Sequence, residues 1–154
     1  MAYSIALLIH SYLRWVVVVL GVVMLVKSLR GWRTGGPWTP ADNSAQVRFM
    51  AALDTQLLVG LLLYFVLSPV TAAFLGDFKA GMKQSQLRFF GMEHQFTMLL
   101  GIVLVHVARA VGKRKVDLAR HKLAAITTIV FFVLVLVGTP WPGLVYGRPL
   151  FRMP

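Results

Sequence analysis

With 154 residues the chain has room for one domain and no more. Its apolar content of 58% exceeds the roughly 45–50% of soluble domains, and a soluble protein this small has too little interior to hide the excess. It has no cysteine, which excludes disulfides, thiolate metal sites, covalently attached c-type haem and cysteine nucleophiles. The net charge of +11 raises nucleic acid as a partner. Against that, the basic residues do not form one stripe; they sit in the breaks between apolar runs, as in a membrane protein. The reading is an all-α, integral membrane four-helix bundle: one transmembrane domain over 1–154, with the lipid bilayer as partner and no nucleic acid.

Four apolar runs predict helices over about 5–26, 47–68, 88–109 and 121–139. Each is near the ~20 residues needed to cross ~30 Å of hydrocarbon, the last being short. Backbone satisfaction in lipid makes each a helix despite many β-branched residues. The first run is expected to be a retained helix with its N-terminus outside. Basic residues follow it at Lys27, Arg30 and Arg33 and none precedes it, the reverse of a signal peptide.

The first loop carries Lys27, Arg30, Arg33 and Arg48, and the third Arg109, Lys113, Arg114, Lys115, Arg120 and Lys122. The second loop has Lys79, Lys83 and Arg88, and the tail Arg148 and Arg152. The more basic side is expected in the cytoplasm, with both termini outside, in a bacterial inner membrane. Thr39-Pro40-Ala41-Asp42 reads as a helix N-cap with proline at the first helical position, so the second helix starts before Phe49. Ser68-Pro69 ends it, and the stretch 70–86 is a candidate surface helix. Pro140-Trp141-Pro142 ends the fourth helix and sets an indole at the outer interface.

The informative residues are those that lipid disfavours: His10, Arg14, Asp54, Glu93, His94 and His106, with His121 just outside the fourth helix. His10 and His94 each lie about five residues inside the outer end of their helices and should share a level. His106 and His121 share a level near the inner end. Two histidine pairs suit haem b, which has no covalent link and takes one imidazole on each side of the iron. His94 and His106 are separated by about 18 Å of helix, setting one or two haems in series. The faces support the outer pair better, because His106 is rotated by about 120° from His94.

Each residue has a second reading. The histidines also serve as hydrogen-bonded glue between helices, and His121 stands in a charge run, Ala119-Arg120-His121-Lys122. Arg14 either pairs with Glu93 or tunes a redox centre; Arg88 either meets a haem propionate or snorkels. Asp54 and Gln56 line a quinone or proton site, or are a packing pair. Gly21 and Gly101 are notches for a macrocycle or helix-packing residues.

His10-Ser11-Tyr12-Leu13-Arg14-Trp15, Met92-Glu93-His94, Ala119-Arg120-His121, Pro140-Trp141-Pro142 and Gly147-Arg148-Pro149 together resemble small bacterial membrane proteins labelled cytochrome b. The resemblance covers nearly the whole chain. More remotely, the plan is similar to four-helix dihaem cytochromes of the b561 type, including superoxide oxidase. That likeness implies electron transfer between quinone and a partner through bis-histidine haem, with His10 and His94 as an outer ligand pair and His106 and His121 as an inner one. The sequence departs from the pattern in having no histidine on the second helix and a shorter His94–His106 spacing. The leading expectation is a haem b electron carrier, alone or with other respiratory or electron-transfer subunits. The alternatives are a non-catalytic structural or assembly subunit and a histidine-based metal site with Met92 and Met98 as soft ligands. A transporter fits poorly, for want of repeats or broken midplane helices.

Overall fold

The structure, a computed structural model, describes residues 1–151; Arg152 lies outside them. The described residues are helical with no strand. Four helices are long and apolar enough to cross a membrane by length and composition: 2–34, 40–67, 85–112 and 117–138. The fold is an all-α helical bundle, as the apolar runs require.

Helix α1, Ala2–Thr34, outlasts its apolar run. The extra turns carry Lys27, Arg30 and Arg33, which continue a helix well once the chain has left the bilayer. Gly35, at φ 66°, closes it in the left-handed conformation that favours glycine. Helix α2, Pro40–Leu62, starts with the expected cap. The Thr39 hydroxyl accepts the Asp42 N–H (3.2 Å) and the Asp42 carboxylate accepts the Thr39 N–H (2.9 Å). Asp42 also meets Lys27 at 3.0 Å, tying the starts of α2 and of the basic loop together.

Beyond α2 the chain loosens into a π-helical turn, Leu63–Leu67. Ser68 then caps α3, Pro69–Gly76, and α4, Phe78–Lys83, and α5, Ser85–Arg88, complete a lid over this end of the bundle. The 70–86 segment is thus not one helix but α3 and α4, broken where Asp77 caps the second, and the start of α5. A second π-helical turn, Phe89–Glu93, leads into α6, His94–Gly112. Helix α7, Asp117–Gly138, comes after a tight turn. The tail crosses back over the lid end, where the Arg14 guanidinium and the Trp15 indole both donate to the Leu150 carbonyl (2.6 and 3.3 Å). We call the lid end the outer end of the bundle, and the end carrying 35–39 and 113–116 the inner, after the orientation expected from the sequence.

In the bundle α1 packs on α2 and α7, and α6 packs on α7; the ring closes loosely between α6 and α2. Val17, Met24, Phe49, Leu53, Ile102, Val105, Ala124 and Phe131 form the core. Phe49 and Phe131 meet edge to face at 5.3 Å. The glycines singled out in the sequence are packing residues. A Cβ on Gly21 would lie 2.9 Å from Phe132 and 3.0 Å from Phe49, and one on Gly101 would lie 3.0 Å from Phe131. Lipid gives no hydrophobic drive between helices, so such close approach carries the packing. The outward faces are apolar, with Leu58 67% and Val137 65% exposed, as a lipid-facing surface requires.

Candidate functional site

The outer half of the bundle holds a cavity between all four long helices. Its volume is about 160 Å³, below the roughly 300–1,000 Å³ usual for small-molecule sites. His10 of α1 and His94 of α6 both line it, with ring centres 6.3 Å apart and planes at 67°. The shared depth expected from the sequence is realised, the two rings meeting edge-on across the bundle.

Each ring is set differently. His94 Nδ1 lies 2.6 Å from the Gly138 carbonyl of α7. A carbonyl only accepts, so Nδ1 carries the proton and Nε2 is left as a free lone pair. This is the arrangement of a metal-ligating histidine whose second nitrogen is held by the protein. The His10 ring lies against Gly60 of α2, where a Cβ would come within 3.3 Å of it, and its Nδ1 is buried without a hydrogen-bond partner. Gln56 donates to the His10 carbonyl at 3.0 Å and pins α1 to α2 at this level.

The π-helical turn before His94 fixes its direction. One inserted residue rotates the helix on its N-terminal side by about 100° relative to the helix on its C-terminal side. Both π turns border the cavity and are joined, the Tyr64 hydroxyl donating to the Gly91 carbonyl at 2.8 Å. Thr71 of the lid donates to the Tyr64 carbonyl at 2.7 Å. Arg88 does not line the cavity; it pairs with Glu93 at 2.6 Å and also donates to the Met82 carbonyl. Glu93 thus pairs with Arg88, where the sequence offered Arg14. Arg14 does line the cavity, together with Arg148, whose guanidinium lies over the Phe90 ring at 5.1 Å. Sequence reasoning passes over Arg148 and Gly60; the Gly147-Arg148-Pro149 string is the available signal for the first.

The inner histidines are not brought together. His106 donates from Nδ1 to the Ile102 carbonyl (3.0 Å) and turns Nε2 to Asp54 Oδ1 of α2 (3.1 Å). His121 is 1% exposed, lodged against Gly31 of α1 and the Trp38 ring (4.8 Å), with Nε2 directed at the Pro37 carbonyl. The rotation of His106 away from His94 sends it to the α2 seam, while α7 presents His121 to α1. Asp54 and Gln56 also part company, because residues two apart on a helix point about 200° from each other. Gln56 faces the cavity and Asp54 the seam.

The geometry of the outer site can be set against the group the sequence implies. A metal-bound imidazole nitrogen lies about 2 Å from the metal and its ring centre about 1 Å beyond, so two imidazoles on opposite sides of one metal have centres about 6 Å apart. The observed 6.3 Å spans that distance. Among the described residues there is no group of three or more potential ligands. Two imidazoles suffice for an iron already held in the plane of a porphyrin, whereas bare zinc or copper needs three or four ligands. Met98 lines the cavity and Met92 does not. The spacing of the two rings suits an iron held between them.

Comparison of the chain with protein-family models, with curated proteins and with solved structures yields no match. The fold and site define a class, a four-helix membrane bundle with a facing histidine pair in its outer half; the function is argued from that site.

Proposed function

We propose that the protein is a membrane-bound haem b electron carrier whose haem is held between His10 and His94. The observation that carries this reading is the approach of two imidazoles from opposite helices, one already fixed through its second nitrogen, at the wall of one cavity. Bound there, haem supplies a reversible one-electron iron couple. The chain's own residues do the rest. The Gly138 carbonyl holds the His94 ring through Nδ1. Gly60 leaves room for the His10 ring. Arg14 and Arg148 bring guanidinium groups that suit carboxylates at the polar edge of a haem. Val17, Leu53, Ile102 and Phe131 keep the inner wall dry.

A role as helix glue is less well supported for His10, because glue requires a hydrogen bond and the buried Nδ1 makes none. The electron partner is of the kind a bilayer supplies, a quinone or a neighbouring electron-transfer subunit. The basic loops at 27–48 and 109–122 favour the inner end as the cytoplasmic one, in a bacterial inner membrane with both termini outside.

The test is a visible spectrum of detergent-purified protein from cells with ample haem supply, taken oxidised, reduced with dithionite and reoxidised in air. Sharp b-type bands that come and go with reduction are expected. A colourless protein, or a haem that does not cycle, would contradict the reading.

A further inference from the structure

The inner rim concentrates charge that the bundle does not neutralise. The breaks at 27–48 and 109–122 hold four and six basic residues, against Asp42 and Asp117 alone. Asp42 is already occupied, its carboxylate accepting from Lys27 and from the Thr39 N–H and hydroxyl. Two of the arginines are nonetheless held in place. Arg109 donates to Gln46 (3.0 Å) and Asn43 (3.4 Å) in the first two turns of α2. Arg120 lies over the Trp38 ring at 4.1 Å, one residue before the cap of that helix. Its stem passes α6 at Gly112, one turn after Arg109, where a Cβ would lie 3.4 Å from Arg120 Cγ. Both guanidiniums are thus set beside the N-terminus of α2, the positive end of its dipole. Among the described residues neither forms an ion pair with a carboxylate.

We propose that this rim binds the phosphate of an anionic phospholipid between Arg109 and Arg120. Like charges held together at a helix N-terminus repel unless an anion lies between them. A phosphate offers oxygens to the forked N–H groups of both side chains. The place of the pair selects lipid over a soluble phosphate. The two arginines stand at the inner ends of the spans 85–112 and 117–138, level with the boundary between headgroups and hydrocarbon. Val111, Val116 and Leu118 beside them are exposed apolar surface that acyl chains can cover. A soluble phosphate has no use for such a surface, whereas basic pockets between membrane helices are recurrent sites for anionic headgroups. Haem at the outer site plays no part in this binding.

The test is native mass spectrometry of the delipidated full chain in neutral detergent, titrated with phosphatidylglycerol or phosphatidylcholine. Phosphatidylglycerol should stay bound, and phosphatidylcholine should be lost under the same conditions. Arg109→Gln and Arg120→Gln should each weaken phosphatidylglycerol binding about tenfold. Arg114→Gln, on the exposed 113–116 turn, should weaken it less than about twofold, because a solvated charge is screened. Arg120→Gln removes no side-chain hydrogen bond among the described residues, so its loss of lipid is not a loss of fold. Arg120→Lys keeps the charge without the fork and should recover binding only in part. Equal effects of Arg114→Gln and Arg120→Gln would overturn the site in favour of diffuse attraction, and equal retention of phosphatidylcholine would overturn it outright. Displacement of the lipid by inorganic phosphate would overturn it in favour of a soluble anion.

Discussion

His94→Ala and His10→Ala are each expected to abolish haem binding, with purified protein retaining less than about a tenth of the wild-type haem per chain. The two rings form one ligand set across one cavity, and loss of either removes half of it. The effects are therefore strongly non-additive, and the double variant should lose little more than either single one. Added imidazole should restore a low-spin spectrum to His10→Ala more readily than to His94→Ala, because the surviving His94 is still oriented by the Gly138 carbonyl. His106→Ala and His121→Ala should keep their haem, since neither ring faces the cavity. Haem quantified against protein across these variants checks the pattern. Full haem in both outer variants, or its loss only in His121→Ala, would place the cofactor elsewhere.

Gly31→Ala is expected to be the most damaging small substitution at the inner end. A Cβ there would run into the His121 ring on three of its atoms. That ring is 1% exposed and backed by Trp38, over which the Arg120 guanidinium lies at 4.1 Å, so it has nowhere to move. Overpacking of this kind costs about 1–3 kcal/mol. In detergent this should appear as a fall of about 5–10 °C in melting temperature. The double variant Gly31→Ala, His121→Ala should recover most of the loss, because the obstacle is gone. A Gly31→Ala protein as stable as the wild type would mean that His121 is not lodged where the structure places it.

Depth is more legible than direction in this chain. His10 and His94 are matched by counting residues from the outer ends of their apolar runs, which needs only the helix rise. Their opposing faces cannot be read the same way. The π-helical turn 89–93 breaks the periodicity between Arg88 and His94, and no residue type in Phe-Phe-Gly-Met-Glu announces it. Arg88, six residues before His94 and so about 120° from it even on an unbroken helix, is found on Glu93. His121 stands beside Arg120 and Lys122 and reads as solvated. Only the approach of α1 at Gly31 buries it, and that is a tertiary fact. Asp54 and Gln56 are read from the sequence as one site or one packing pair, although a spacing of two does not share a helix face, and the structure parts them. The Thr39–Asp42 cap is fully legible, being chemistry confined to four consecutive residues.

The most direct measurement is the number of haems per chain in freshly purified, haem-replete protein, with an electron paramagnetic resonance spectrum of the oxidised form. One facing histidine pair predicts one haem b per chain, low-spin with two axial nitrogens. Two haems per chain would require an inner site that His106 and His121 do not form as they stand. No haem at all, or a high-spin iron with an open position, would contradict ligation by His10 and His94.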